Sequence, residues 1–550
     1  ENQNHPQQTN EPEKSRQVTS PNRLNTEDCK SRVAILPTKP VYNNNNNNNN
    51  MRPPLASTFT VLICLLSLPL LTAHSSPSRA TVCIVGSGIG GSSLAHFLRL
   101  YSSPNPDGAA FDIRMFERNG VVGGRMATVD LSSGDVFEAG ASILHPKNFY
   151  ALKFTKLLNL TVKEPSSSSS SSPSLGIWDD QKFVFKTLGC KSDLPFVQKI
   201  VSYANSLLVF LRYGFSLLKM ERFVQSAIGN FLKYYESHEF RPIFESVDEM
   251  LKWAGLYNLT TTNLGLELSD AGLSPLLLQE LVTVITRINY GQSLAISGLA
   301  GAVSLAGAEE GLWSIKGGNW QMASGLINRS NVDLHLHEEI ESISFVEKYY
   351  ELNSTKGNSY KCEVAVVATP LDEVNIRFTP PISIPKRRLQ HTHATFVRGV
   401  LNPEYFGLKA VSEIPELVGT IEVPDLPFSS ISVLKRHDEK DMTYKIFSRK
   451  PMDGALLDSI FSLRKEAIRI DWGAYPHYNA PEVFAPFILD ARHLYYVNAF
   501  ENAASTMETS AVAAENIARL VLSRFFGKPP SSSSNLGSFA SDKETFHADL

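Results

Sequence analysis

The sequence predicts an α/β fold: a doubly wound parallel sheet of the dinucleotide-binding type, interleaved along the chain with a mixed α/β second domain. Three observations predict it. An apolar strand runs straight into a glycine-rich turn and then a helix, in Thr81-Val-Cys-Ile-Val-Gly-Ser-Gly-Ile-Gly-Gly-Ser-Ser-Leu-Ala-His-Phe-Leu-Arg-Leu-Tyr101. A second strand, Phe111–Phe116, ends at the acidic Glu117. Strand-like segments return late in the chain, around 332–343, 362–370 and 494–500, with long stretches of other character between them.

The glycine turn is justified first. Val82–Val85 is a short buried strand, and Gly86, Gly88 and Gly91 follow it in a G-x-G-x-x-G pattern, with Ser87, Ile89 and Gly90 between them. Leu94, Ala95, Leu98 and Leu100 then carry helical spacing. In that context Gly86 permits the tight turn and Gly88 lets backbone N–H groups approach a pyrophosphate. Gly91 lets helix and strand pack closely, with the helix N-terminus toward the negative charge. Glu117, followed by Arg118, is placed to accept hydrogen bonds from ribose hydroxyls. The pattern is that of a Rossmann-type nucleotide site.

The next segment separates FAD from NAD. Val122-Gly-Gly-Arg-Met126 resembles the stretch that follows the ribose-binding Glu in amine-oxidase-like flavoproteins. Gly123 and Gly124 allow close backbone approach, and Arg125 offers a planar fork to pyrophosphate charge. The other half of the site is expected from distant segments. Val332–Ile343 alternates as a strand, and its Glu339 and Ile340 resemble the position that meets the adenine in related flavoproteins. Cys362–Pro370 is an apolar strand ending in Ala368 and Thr369. Leu494–Phe500 is a closing strand carrying Tyr496 and Asn498, with Glu501 beginning the turn into a helix over Ala511–Leu520. Taken singly, each of these segments is ordinary core. Their order behind the glycine loop selects FAD.

Size and composition agree. The chain has 550 residues, 43% of them apolar, and a formal net charge of −3, so two to four domains are expected. A near-neutral balance carries no electrostatic footprint for nucleic acid. Residues 1–50, rich in Asn, Gln, Pro and Ser and ending in the run Asn43–Asn50, read as disordered low complexity preceding a natural start at Met51. Residues 51–75, with Arg52 ahead of the apolar Phe59–Leu71, read as a secretory signal peptide. A signal anchor is the rival, but the core falls short of the ~20 residues a span needs. The expected division is then 79–149, 331–375 and 486–526 for the FAD-binding parts, 150–330 and 376–485 for the substrate parts, and 527–550 for a flexible tail.

Five cysteines occur, Cys29, Cys64, Cys83, Cys190 and Cys362, and none form a metal-type CxxC pair. Cys83 reads as a small apolar residue of its strand; Cys190 and Cys362 could pair in an oxidising lumen, which spacing does not establish. Asn159, Asn258, Asn328 and Asn353 stand in glycosylation sequons. His335 and His337 alternate on one strand without a third ligand, so no metal is expected.

Further motifs make the chain similar to the prenylcysteine oxidase, or farnesylcysteine lyase, family from about Thr81 to Phe526. They are Phe137-Glu-Ala-Gly-Ala-Ser-Ile-Leu-His-Pro146, Arg212-Tyr-Gly-Phe-Ser-Leu-Leu-Lys-Met220, Trp313-Ser-Ile-Lys-Gly-Gly-Asn319 and Trp472-Gly-Ala-Tyr-Pro-His-Tyr478. The second is the most particular to this family. Ser166–Ser172 and the stretch around Trp320 depart from it and are expected on a surface loop, without bearing on the choice of cofactor.

The resemblance implies oxidation of S-prenylcysteine with oxygen and water to cysteine, a prenyl aldehyde and hydrogen peroxide, in prenylated-protein catabolism. Loss of a hydride from prenyl C1 leaves a cation stabilised by sulfur and the allylic double bond. Water adds there, and the hemithioacetal collapses to aldehyde and thiol. No nucleophilic side chain is required; orientation and an apolar sleeve are.

Ala139, Gly140, Ala141 and Ser142 are expected beside the flavin. His145 is a candidate for water or substrate positioning, with a structural histidine as the alternative. Lys316 and Asn319 are candidates for contact, with a plain turn as the alternative. Between Lys199 and Tyr235, Ile200, Leu207, Leu208, Phe210, Leu211, Phe215, Leu217 and Leu218 read either as core or as the wall of a tunnel for the prenyl tail. That stretch also admits shallow membrane contact, being too short to span. The expected address is the secretory pathway, in lysosome or vacuole or outside the cell, and no obligate protein partner is evident. Two rivals stay open: another flavin oxidase of this architecture, acting on amines, polyprenyls or porphyrinogens, and a secreted flavin- or lipid-binding protein without turnover.

Overall fold

The structure is a computed structural model that describes residues 79–102, 111–163, 173–190, 192, 194–237 and 240–527. The expected disordered leader (1–50), signal peptide (51–75), serine run Ser166–Ser172 and nearly all of the 527–550 tail lie outside the described residues.

A five-stranded sheet forms the nucleotide half, in the order Leu494–Tyr496, Val364–Val367, Ala80–Val85, Phe111–Glu117, Asp333–Leu336, and every pair is parallel. Val82–Val85 and Val364–Val367 are buried throughout. Parallel strands covered on both faces are continuous apolar runs, and these two are such runs. Helix Ile89–Ser102 packs on the C-terminal helix Met507–Arg524 and on Trp320–Arg329. Beside this sheet, Ile340–Val346, Tyr349–Ser354 and Ser359–Cys362 form an antiparallel meander, with Arg377–Thr379 parallel to the first of them.

Two expected strands divide. The chain at 332–343 breaks at His337, whose φ is +56°, because His337 N–H donates to Asn119 O (3.0 Å) and Glu338 N–H to Glu117 O (2.8 Å). Asp333–Leu336 therefore joins the parallel sheet, and Ile340–Val346 begins the meander. The 362–370 segment divides at Glu363 between the same two sheets, where Glu363 Oε2 accepts from Thr81 N–H at 2.6 Å. At 494–500, the strand stops at Tyr496 and Val497–Asn502 is a tight helical turn.

The cysteines are also corrected. Cys362 pairs with Cys83, their Cα atoms 5.9 Å apart, and Cys190 is a free thiol. Cys362 ends the meander where it meets the parallel sheet, and 279 residues separate it from its partner, too far for spacing to suggest the bond.

The second half is a seven-stranded sheet in the order Phe461–Pro476, Leu389–Leu401, Met442–Ser448, Ser430–Arg436, Leu417–Thr420, Leu175–Trp178, Phe183–Lys186. It is antiparallel except where Leu417–Thr420 lies parallel to Leu175–Trp178. The stretch read as core or tunnel wall is not core at most of its eight named apolar residues. It forms two helices, Pro195–Tyr213 and Ser216–Phe231, bent by 98° around Gly214. Ile200, Leu207, Phe210, Leu211, Phe215 and Leu218 are exposed on them, and only Leu208 and Leu217 are half-buried.

Candidate functional site

The glycine loop does what its sequence requires. Gly86 has φ +108°, and a β-carbon there would lie 2.6 Å from Ala368 O and 3.4 Å from Thr369 Cβ. A β-carbon on Gly91 would lie 2.1 Å from Gly86 O, so turn and helix approach to a distance only glycine allows. Gly88 differs: its nearest neighbours would be Gly123 O and Gly124 Cα, at 3.8 and 3.9 Å. No packing within the protein demands glycine at 88. A bare loop face there is what close approach of a pyrophosphate needs. Ile89 and Gly90 open the helix.

Other segments converge on this loop. Ser87 donates its N–H (3.2 Å) and hydroxyl (2.6 Å) to Glu117 Oε2, while Asn119 donates N–H and side-chain amide to Oε1, both at 2.9 Å. All four donors are neutral, and the carboxylate is only 6% exposed. Held at the mouth of the loop by donors rather than a cation, it suits ribose hydroxyls. Gly123 bridges Gly88, with Gly123 N–H donating to Ser87 O at 3.2 Å. Val497 of the closing turn lies 3.2 Å from where a Gly90 β-carbon would be. Arg118 is exposed beside Glu117.

The segment expected to meet the adenine follows the break at His337. Glu339 is exposed with its carbonyl accepting from Thr355 N–H at 2.9 Å, and Ile340 is buried in the core. Glu338, not singled out from sequence, is the buried carboxylate behind Glu117. It accepts from Asn358 (2.8 Å) and Tyr360 (3.1 Å); burial alone would raise its pKa, but these and Ser354 hold it low.

Glu501 is the electrostatic centre of the closing turn. It is buried, ion-paired with Arg125 and with Arg387 Nη2 (3.4 Å), and accepts from Asn498 Nδ2 and Ser505 Oγ, each at 2.9 Å. Burial would raise its pKa, yet the two guanidinium groups hold it at about 2. Arg125 also donates to Ala474 O at 2.6 Å, so its fork ties the second glycine loop to the long strand and the closing turn. Arg387 in turn holds Asp372 at 2.6 Å and reaches Tyr496 OH at 3.4 Å. Sequence reasoning named Arg125 for pyrophosphate charge and Asn498 and Glu501 without a role, did not foresee that they join, and missed Arg387 and Asp372, which stand in no motif.

The 138–142 segment is pinned from both sides. Ala139 N–H donates to Ala127 O, Ala141 N–H to Arg125 O, and a Gly140 β-carbon would strike Arg125 O and the Trp472 ring. Ser142 Oγ donates to Gly140 O at 2.6 Å. On one side Lys445 Nζ donates to Glu138 O (2.9 Å) and Ser142 Oγ (3.1 Å), 4.6 Å from the Phe447 ring centre. Burial lowers the Lys445 pKa to about 8 against the pull of Glu138. On the other side Asn319 N–H donates to Glu138 Oε1 at 2.6 Å and its amide to Ala141 O at 2.9 Å. Burial raises Glu138 to about 7 despite Asn319 and Lys445. Asn319 also accepts from Ile315 N–H, so its side chain is spent on the turn, and Lys316 is exposed.

His145 lies apart from these contacts. Its Nδ1 accepts from Lys147 N–H at 3.0 Å and its Nε2 meets Glu309 at 2.9 Å, so both ring nitrogens are engaged in fixing the loop before helix Phe149–Leu157. Trp320 corrects an expectation. It opens a helix rather than lying on a surface loop, and its Cβ would be 3.0 Å from a β-carbon on Gly123, directly behind the second glycine loop. Asn159, Asn258 and Asn328 are exposed, and Asn353 is half-buried. Among the described residues no group of three or more His, Cys, Asp or Glu is placed to hold a metal ion.

Against known proteins, the model of the prenylcysteine lyase family matches residues 196–533, and that of an NAD(P)-binding Rossmann-like domain matches 84–156. Farnesylcysteine lyase of Arabidopsis thaliana is 65% identical over 464 residues, covering 84% of this chain and 92% of that protein. Prenylcysteine oxidase 1 of Homo sapiens is 33% identical over 482 residues, covering 81% and 89%. Among solved structures, cyclohexylamine oxidase from Brevibacterium oxydans superposes with a TM-score of 0.54 at 17% identity, over 80% of this chain and 98% of that one. That likeness speaks for the fold alone.

Proposed function

We propose, since this chain belongs to the prenylcysteine lyase family, that it is an FAD-dependent oxidase that cleaves S-prenyl-L-cysteine. With oxygen and water the products are cysteine, the prenyl aldehyde and hydrogen peroxide. The observation that carries the substrate class is where the family match falls. It covers residues 196–533, hence the helix pair, most of the seven-stranded sheet and the closing turn, and lies wholly outside the glycine loop common to many oxidases.

FAD, when bound, would supply the hydride acceptor for prenyl C1. The chain's own residues bind and orient. The Gly86–Gly91 loop would receive the pyrophosphate and Glu117 the ribose hydroxyls, while the Arg125–Glu501–Arg387 cluster holds the closing turn, whose Val497 lies against Gly90. Lys445 and Asn319 fix the Ala139–Ser142 segment, which resembles the family's flavin-facing stretch, so that its backbone does not shift during turnover.

The test is peroxide release from purified protein on adding farnesylcysteine. Release with farnesylcysteine is expected. Release only with amines would move the chain to another oxidase class, and none with any substrate would leave a binding protein. Passage through the secretory pathway, to lysosome, vacuole or the exterior, belongs to the same proposal. The apolar 59–71 segment, the exposed sequons at Asn159, Asn258 and Asn328 and the Cys83–Cys362 disulfide support it, since such bonds persist in oxidising compartments. A glycosidase-sensitive mass shift in secreted protein is its check.

A further inference from the structure

The helix Pro195–Tyr213 buries a single residue, Tyr213. Phe196, Ile200, Tyr203, Leu207 and Leu211, with Phe215 beyond the bend, recur every three or four residues and so lie on one side. Each is between 50% and 75% exposed. Scattered exposed leucines need no explanation, but a continuous apolar stripe along five turns of helix marks an interaction surface.

This exposure is not slack packing. Opposite the stripe, Arg212 and Tyr213 are both bonded to Glu280, at 2.6–2.8 Å, and Asn205 exchanges two hydrogen bonds with Leu188. Past the bend, Lys219 Nζ donates to Gly272 O at 2.7 Å, and Val224 and Ala227 are buried. The pair is fastened to the body, with its apolar face turned outward.

The chemistry of the face selects its occupant. From Ile200 to Leu211 there is no charged residue, while Lys199 precedes the stretch, and Lys219 and Arg222 follow the bend with one acid, Glu221, between them. A protein interface of this size would carry several hydrogen-bonding groups, about one bond per 100–200 Å². On this stretch Asn205, the one amide, is already spent on Leu188 and Ser206 Oγ on Ser202 O, so the Tyr203 hydroxyl is the one side-chain polar group on the stripe itself. At the 98° bend Phe210 and Phe215 meet edge to face, 5.5 Å between ring centres, and both are exposed. No single described helix is long and apolar enough to cross a membrane. Apolar and aromatic residues on one face with cations at the edges, in a helix too short to span, are the pattern of an in-plane interfacial anchor.

We propose that the bent pair 195–231 is a docking element that lies in the surface of an anionic lipid membrane, apolar face down and Lys199 and Arg222 at headgroup level. The docking stands on the exposed face alone; that it brings the enzyme to membrane-partitioned prenylcysteine rests on the proposed function.

Flotation of the full chain with vesicles of phosphatidylcholine, with and without 30% phosphatidylserine, tests it. The expected result is co-flotation with the phosphatidylserine vesicles, reduced at least tenfold in Leu211→Glu/Phe215→Glu and severalfold in Lys199→Glu/Arg222→Glu. Flavin content and thermal midpoint should stay unchanged in both variants. Failure of the unmutated chain to float, or flotation of the glutamate variants equal to its own, overturns the proposal. Equal binding to both vesicle types overturns the anionic assignment. A dimer in solution that the glutamate variants dissolve, without any vesicle binding, makes a second copy the occupant instead. Flotation by a protein that releases no peroxide from farnesylcysteine would keep the docking and sink the substrate reading, so the two fail separately.

Discussion

Two helices of nearly equal length meet opposite fates in this molecule. Met507–Arg524, of 18 residues, buries all but three of them, among the buried Glu508, Glu515, Asn516 and Arg519. Pro195–Tyr213, of 19 residues and with only two charges, buries one. Residue type alone predicts the reverse. What admits charge into the first helix is a set of buried partners. Arg241 meets Glu515 at 2.5 Å, Tyr101 donates to Glu515 at 3.0 Å, and Glu508 takes two backbone N–H groups at 2.6 and 3.0 Å together with the Tyr235 hydroxyl. What keeps the second in the open is that no described element covers it. Burial follows available partners rather than side-chain polarity.

The contrast can be broken most severely at Glu515. Glu515→Ala leaves Arg241, 2% exposed, without its counter-ion, and is expected to cost about 3–5 kcal/mol, read as a lowered denaturation midpoint. Gly91→Ala attacks the other end of the same packed layer. Its methyl would overlap Gly86 O, and bound flavin per protein should fall at least tenfold, measured by absorbance of the purified protein.

A pair of carboxylates sharpens the point about partners. Glu501, with two guanidinium groups, has its pKa lowered from 4.5 to about 2, so its contribution to stability is present above 4.5 and lost as pH falls toward 2. Glu138, whose cation reaches only its carbonyl, has its pKa raised to about 7; its contribution is full below 4.5 and lost as pH rises toward 7. Glu138→Gln should therefore flatten the slope of thermal midpoint between pH 4.5 and 7, and Glu501→Gln the slope below 4.5. The smallest effect belongs to the exposed pair. Leu211→Ser with Phe215→Ser should change stability by about 0.5 kcal/mol or less, since neither side chain is packed in the body.

Much of the site was legible because its chemistry is local and backbone-borne. Gly86, Gly88, Gly91 and Glu117 stand at spacings that only a turn between strand and helix explains, and the structure places them so. Gly123 and Arg125 followed from the same logic. Arg387 was not legible: it reaches Glu501 across 114 residues from a segment with no motif. Lys445 was hidden by alternation. In Met442–Ser448 it occupies a position that reads as solvent-facing, and only the Ala139–Ser142 segment lying over it makes that face interior. The broken strands at His337 and Glu363 escaped because periodicity persists through a one-residue switch from one sheet to another. The outward helices escaped because an apolar pattern specifies a face and says nothing of what meets it.

The bond between Cys83 and Cys362 has one more consequence. It closes a covalent ring around the 279-residue interval that contains the docking helices. A protease cutting within that ring, at the exposed helices for example, would leave both fragments in one molecule. Such a nicked chain should run as a single species on an unreduced gel and separate into two only after thiol treatment, so scission there need not release the first strand from the sheet it centres.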